Sequence, residues 1–192
     1  HPVRLLGEGA MGRVWLVRDE VEGDEVALKA IAVNPGATGG TQPNPVFATD
    51  RPEAGADKSV LQFKQEFRLM TQLRHPNCCR VFDFGVTADG EPYFTMEVVP
   101  GQGIDEMVPM EAPQAREILA QLLLALGDVH RHGFVHCDIK SANVRVRPDG
   151  VVKLMDFGLM EYAGRHTGMR GTPAYLAPEM IKREPIDQRA DL

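Results

Sequence analysis

The sequence predicts an α+β chain of two lobes: a five-stranded antiparallel sheet with one helix, then a mostly helical part. Three observations predict it. Residues 1–98 alternate short apolar runs with turn residues, which is strand patterning. One stretch in that half repeats Phe63, Phe67 and Met70 at i, i+4 and i+7, an amphipathic helix. Beyond Pro100-Gly101 the spacing turns helical, with Ile118, Leu119, Leu122, Leu123, Leu126 and Val129 on one stripe.

Bulk properties narrow the function classes. A net charge of −6 argues against a nucleic-acid partner. No apolar run reaches membrane-spanning length, and no signal peptide is present. Three cysteines, Cys78, Cys79 and Cys137, form no disulfide framework and suit a reducing compartment, so a cytoplasmic location is expected. The stretch opens on His1 and stops at Leu192, so both ends look cut from something longer, with room for a membrane anchor outside it.

The first two strands, Val3–Leu6 and Gly12–Val17, flank the turn Gly7-Glu8-Gly9-Ala10-Met11-Gly12. Three glycines let a backbone approach a phosphate without Cβ obstruction. A dinucleotide fold would continue into a helix. Here Arg13–Val17 is rich in strand formers, which favours a flap over a nucleotide, although an ordinary glycine hairpin fits the same residues. Val26–Lys29 is a third strand, apolar but for Lys29. That ammonium either holds nucleotide phosphates while paired to a carboxylate or snorkels from the strand edge. Residues 34–57 are rich in Gly and Pro and read as a flexible insertion. Ser59 opens the helix with Gln62 three positions on, a capping box. Glu66 lies beside the apolar face and is the candidate partner of Lys29.

Cys78–Gly85 and Pro92–Val99 complete the predicted sheet. The Glu97-Val98-Val99 stretch reads as the linker to the second lobe. Its backbone groups would face an adenine edge, with Met96 at the back of the pocket or simply in the core. The Leu-rich helix then runs from Pro113 to His132, and Gly133 stops it. Next comes Phe134–Val146, FVHCDIKSANVRV, around which the chain is organised. Asp138, Lys140 and Asn143 put a base, a phosphate partner and a metal ligand on one loop, a set suited to moving a phosphoryl group onto a hydroxyl. Val144–Val146 and Val151–Leu154 form a hairpin ending at Asp156-Phe157-Gly158. A hard cation such as Mg²⁺ takes oxygens from a carboxylate like Asp156 and an amide like Asn143. Leu159–Thr172 is aperiodic, as a mobile loop should be, and Pro173–Glu179 restores order.

These motifs, in this order, resemble the eukaryotic-type (Hanks-type) protein kinase family, Ser/Thr branch, in a bacterial style. GEGAMGRV at 7–14 is similar to its glycine-rich loop, VALK at 26–29 to its lysine strand and HCDIKSAN at 136–143 to its catalytic loop. DFG at 156–158 is similar to its metal loop and APE at 177–179 to the end of its activation segment. The resemblance implies a two-lobed kinase-like fold: an N-lobe at 1–98 and a C-lobe at 99–192, incomplete after the activation segment. It implies an ATP- and Mg²⁺-dependent Ser/Thr protein kinase acting on protein hydroxyls. Gly7, Glu8, Gly9 and Gly12 would cover the phosphates, Lys29 would bind them while paired to Glu66, and Val14 and Ala27 would roof the adenine near Met96, Glu97 and Val99. Asp138 would orient the hydroxyl, Lys140 steady the γ-phosphate, and Asn143 and Asp156 hold Mg²⁺. Thr167 and Thr172 lie in the activation segment, and in the family a threonine at 172 contacts the catalytic acid and lysine. Asp191 resembles the aspartate that anchors the catalytic-loop backbone.

The sequence departs from the family pattern at points that bear on function. Cys137 replaces the arginine that usually precedes the catalytic acid, which argues against activation by phosphorylating Thr167 or Thr172. Arg145 stands near the usual apolar floor of the adenine site. Two alternatives stay open: a pseudokinase that binds nucleotide or acts as a scaffold, and a small-molecule phosphotransferase of the same fold.

Overall fold

A computed structural model describes residues 2–9, 12–20, 23–30, 67–87, 91–165 and 171–192. The insertion expected at 34–57, the helix start at Ser59, Glu66 and Thr167 lie outside the described residues. The chain divides into two compact units, His1–Gln72 with Arg80–Val98, and Leu73–Cys79 with Val99–Leu192.

The first unit is a five-stranded antiparallel sheet of β1 (Pro2–Gly9), β2 (Gly12–Arg18), β3 (Glu25–Ala30), β4 (Val81–Val86) and β5 (Pro92–Met96). Their order across the sheet is β1-β2-β3-β5-β4. Cross-strand partners share a face, so register decides which side chains meet. Leu16 opposes Ala27, Ala27 opposes Met96 and Met96 opposes Val81, giving one apolar row buried from β2 to β4. Two residues along the same face, Lys29 lies opposite Val14 on one side and Phe94 on the other. The sheet's outer strand β1 is the opposite case. Val3, Leu5 and Leu6 are exposed on it, because β1 has only β2 to pack against. Residues 67–70 are helical and bring Met70 into the core at 4% exposure.

The second unit is built on α1 (Ala112–Arg131). Pro113 enters where a missing N–H costs nothing, and Gly133 at φ 79° leaves the helix by the left-handed route that glycine takes without strain. Ile118, Ala125, Leu126 and Val129 are buried and face β7 (Phe134–Val135) and β9 (Val152–Leu154). The expected stripe was wider. Leu119 and Leu123 lie outside it at 53% and 46% exposure, since a 3.6-residue turn carries them past the contact arc. Strands β6 (Gln102–Gly103), β8 (Val144–Val146) and β9 form a three-stranded sheet, and β10 (Glu161–Tyr162) pairs with β7. The segment expected to be aperiodic after Leu159 thus begins with a strand. A short helix, α2 (Pro178–Lys182), follows the Pro173–Tyr175 turn.

Leu73–Cys79, expected with the first lobe, groups with the second unit, and the strand expected from Cys78 starts at Val81. The cause is backbone pairing within the second unit. Leu154 N donates to Asn77 O at 2.7 Å and Cys79 N donates to Leu154 O at 2.8 Å.

Candidate active site

In the second unit the site grows from the turn after β7. Phe134, Val135 and His136 are buried at 2%, 0% and 0% exposure, so the chain leaves the core directly into the loop. Cys137 then takes φ 66°, a left-handed value unusual for a residue with a Cβ. What holds it there is Asp191. Its Oδ2 accepts from His136 N at 2.8 Å and its Oδ1 from Cys137 N at 2.9 Å. His130, at the end of α1, donates Nε2 to Asp191 Oδ2 at 2.8 Å. Three donors on one buried carboxylate clamp the strained turn.

His136 ties this loop to the next. Asp138 N donates to His136 Nδ1 at 3.3 Å, so the ring proton sits on Nε2, which donates to Met155 O at 3.1 Å. Burial lowers the imidazole pKa, outweighing the Asp191 charge that raises it, and the ring stays neutral. Phe157 meets it edge-on, with ring centroids 5.2 Å apart.

Asp138 is 3% exposed, and both of its carboxylate oxygens are occupied. Oδ1 accepts from Thr172 N at 3.0 Å and Thr172 Oγ1 at 2.9 Å. Oδ2 accepts from Lys140 Nζ at 2.7 Å and Asn143 Nδ2 at 3.0 Å. Lys140 Nζ also donates to Thr172 Oγ1 at 2.8 Å. Burial alone would push the Asp138 carboxyl up. The hydrogen bonds from Lys140 and Thr172, the Lys140 charge and the Asn143 amide together hold it below the usual carboxylate range. Gly171 makes the Thr172 contact possible. At φ 110° its backbone passes so close that a Cβ there would lie 2.8 Å from Cys137 O.

Asn143 and Asp156 come from neighbouring segments. Met155 N donates to Asn143 O at 2.8 Å, and Asp156 follows at φ 57°. Both hydrogen bonds of the Asn143 side chain use Nδ2, to Asp138 O at 2.8 Å and to Asp138 Oδ2, which leaves the amide oxygen as the donor that could meet a cation. An amide oxygen and a carboxylate are hard ligands that fit Mg²⁺, which completes its octahedron with phosphates and water rather than a protein cage. Consistently, no group of three His, Cys, Asp or Glu among the described residues could hold a metal by itself.

The other predicted residues fall in the first unit, except Val99. Gly7 pairs with Val14, Glu8 with Arg13 and Gly9 with Gly12, so the glycine turn is an antiparallel hairpin. Arg13 Nε donates to Glu8 Oε1 at 2.9 Å, so the Glu8 side chain is engaged across the hairpin. Lys29 is 6% exposed, on the face that also carries Val14, Ala27 and Met96. Glu97 exchanges bonds with Arg80: its N–H donates to Arg80 O, and its Oε1 accepts from Arg80 N, both at 2.9 Å. Val99 begins the larger segment of the second unit. Arg145, expected near an apolar floor, is tethered to the backbone of its own unit. Its Nη2 donates to Gly101 O.

Sequence reasoning missed two supports. His130 reads as an ordinary helix-end residue, and nothing local marks it as a partner of Asp191. Asn77 and Gln121 carry no motif, yet their amides meet at 2.8 Å beside β9.

Comparison with known proteins follows this geometry. The protein kinase domain family matches residues 1–192, and the chain belongs to that family. The chain is 36% identical over 200 residues to the DNA damage-responsive serine/threonine-protein kinase RqkA of Deinococcus radiodurans, covering 98% of this chain and 27% of that protein. It is 30% identical to the serine/threonine-protein kinase pkn3 of Myxococcus xanthus, covering 98% and 34%. Identity to the serine/threonine-protein kinase PknB of Mycobacterium leprae is 31%, covering 98% and 29%. The chain thus spans about a third or less of the length of these relatives. No helix among the described residues is long and apolar enough to cross a membrane.

Proposed function

We propose that the protein transfers the γ-phosphoryl group of ATP, with Mg²⁺, to serine or threonine hydroxyls of protein substrates. The observation that carries this reading is the Asp138–Lys140–Thr172–Asn143 cluster around one buried carboxylate. Its low pKa keeps Asp138 ionised at neutral pH, so it accepts a hydrogen bond from an incoming hydroxyl and aims it. A weak base suffices, because phosphoryl transfer proceeds through a loose transition state with little early demand for proton removal. Thr172 Oγ1 and the Thr172 N–H hold the carboxylate in place while the hydroxyl displaces one of them. Lys140, anchored at its Nζ by Asp138 and Thr172, carries positive charge towards the transferred group, where charge spreads over three oxygens. Asn143 and Asp156 would hold Mg²⁺, which supplies neutralisation of phosphate charge.

In this reading residues 1–98 supply the nucleotide-binding half. Gly7, Glu8, Gly9 and Gly12 form the phosphate flap, Lys29 binds phosphate with Glu66 as partner, and Val14, Ala27, Met96, Glu97 and Val99 border the base. Residues 99–192 carry the transfer chemistry, and the site of action is cytoplasmic. Thr172 serves as a structural threonine. A phosphate on its hydroxyl would set a dianion against Asp138 Oδ1, which that hydroxyl now touches at 2.9 Å. With Cys137 before the acid, activity is independent of phosphorylation at Thr167.

The test is radiolabelled phosphate transfer from ATP–Mg²⁺ to a generic protein substrate, with Asp138→Asn alongside. Transfer that falls about 10²- to 10⁴-fold in the variant is expected. ATP binding without transfer by the unmodified protein would replace the enzyme with a nucleotide-binding scaffold. Transfer only to small hydroxyl compounds would replace the substrate class.

A further inference from the structure

The strand that delivers Asp156 has one edge paired to β8 and the other edge paired to no named strand among the described residues. Val152 and Leu154 on that edge are fully buried, so their backbone groups need partners. Two side-chain amides supply half of them. Val152 N donates to Gln121 Oε1 at 2.9 Å, and Val152 O accepts from Asn77 Nδ2 at 2.8 Å. The same Asn77 Nδ2 donates to Gln121 Oε1 at 2.8 Å. The backbone completes the edge: Leu154 N donates to Asn77 O and Leu154 O accepts from Cys79 N.

The orientation of both amides is dictated rather than chosen. Val152 O only accepts, so the Asn77 atom beside it must be Nδ2. Val152 N only donates, so the Gln121 atom beside it must be Oε1. Gln121 Nε2 then faces Gly150 O, at 3.0 Å, in the turn that starts β9. Each donor meets an acceptor in a site where Asn77 is 6% exposed. Inverting either amide would oppose like groups, and at Asn77 it would do so out of reach of water.

We propose that Asn77 and Gln121 form a two-amide clamp that sets the register of β9 and so positions Asp156, making both positioning residues for phosphoryl transfer. A one-residue slip of β9 would turn Val152 and Leu154 to the opposite face. It would also break the bond from Met155 N to Asn143 O that brings the two candidate cation ligands together. The clamp touches no reacting atom. It acts through three residues of strand, from Val152 to Leu154, and then through Met155. The inference rests on the phosphoryl-transfer reading given above.

Asn77→Asp removes both Nδ2 donations and sets a carboxylate against Val152 O and Gln121 Oε1. Gln121→Leu removes the acceptor for Val152 N and is the milder change, so it decides the matter should Asn77→Asp fail to fold. Gln121→Glu keeps the acceptor and gives up only the bond to Gly150 O. Three quantities are measured in the full-length protein: the Mg²⁺ concentration for half-maximal transfer, Mn²⁺ binding with a non-hydrolysable ATP analogue by electron paramagnetic resonance, and amide exchange at residues 152–155. Asn77→Asp and Gln121→Leu are expected to weaken Mg²⁺ and Mn²⁺ dependence by about tenfold and to speed exchange, with KM for the protein substrate within about twofold. Gln121→Glu should restore metal dependence to within about twofold of the unmodified protein. Metal dependence unchanged in Gln121→Leu overturns the inference, even where exchange quickens, because a purely structural amide would give that result. Absence of any transfer by the unmodified protein overturns the functional reading instead, and Mn²⁺ binding then shows whether the clamp still governs the cation ligands.

Discussion

The proposed catalytic loop and the glycine hairpin hold their atoms in place in opposite ways. The loop at 136–143 buries His136, Cys137, Asp138 and Asn143, and its geometry comes from partners far along the chain: Asp191 holds His136 and Cys137, and Thr172 holds Asp138 from 34 residues away. The hairpin of β1 and β2 is exposed along β1, and its geometry comes from its own register, with Glu8 opposite Arg13. One is preorganised, with donors fixed before substrate arrives, as electrostatic catalysis requires. The other is held by neighbours in sequence. A buried loop should therefore break when a distant residue is lost, whereas the hairpin should hardly notice local change.

The largest expected effect follows from Asp191→Ala. It leaves two buried backbone N–H groups and the His130 ring without their acceptor. The loss should be about 2–5 kcal/mol in denaturant unfolding, with transfer abolished. A variant that unfolds like the unmodified protein would mean the strained turn at Cys137 holds itself.

Next comes Gly171→Ala. A Cβ pressed against Cys137 O, at a φ that alanine avoids, should pull Thr172 off Asp138 and cut the transfer rate about 10- to 100-fold, while ATP affinity stays put. Thr172→Ala separates geometry from chemistry: if loss of the hydroxyl matters as much as the glycine change, the two act through the same contact. A rate unchanged in both would detach Thr172 from the site.

The pH dependence sharpens the same contrast. The folded pKa of His136 lies below its ordinary value of about 6.5, so the unfolded chain takes up the proton first as pH falls. Its contribution to stability is complete above about pH 6.5 and is lost as pH drops from there towards the folded value. Melting temperature should fall between pH 7 and 5, and His136→Phe should flatten that slope. Asp138 contributes nothing in this window, because its lowered pKa keeps it ionised until pH falls below the ordinary carboxylate range.

The smallest effect belongs to the hairpin. Arg13 and Glu8 side chains are each 57% exposed, so Arg13→Ala should cost under about 1 kcal/mol. KM for ATP should shift less than about threefold and converge with the unmodified value at high salt. A tenfold rise in KM would show that the hairpin is preorganised after all, and the contrast would collapse.

Much of this was legible in the chain itself. Alternation marks the strands, and the glycine turn falls where β1 meets β2. Pro113 and Gly133 bracket α1 almost to the residue, because caps act within one turn of themselves. Asp138, Lys140 and Asn143 stand on one loop as their spacing implied. The two-residue strands β6, β7 and β10 were not legible, since two residues carry no periodicity. Nor was the width of the buried stripe on α1, which depends on what packs against it. Leu119 and Leu123 satisfy the helical pattern and still face outward.

Sequence alone nominated the residues proposed for the chemistry and marked most of the local elements that carry them. Dihedral preferences, caps and apolar spacing act over a few residues and survive without a fold. Only the tertiary structure decided that Asp191 clamps the catalytic loop, that Thr172 shares Asp138 with Lys140, and that Leu73–Cys79 joins the second unit. Those contacts reach across 34 residues of chain at Thr172–Asp138 and 75 at Asn77–Val152. They exist because a buried backbone group must find a partner wherever the packed chain happens to offer one.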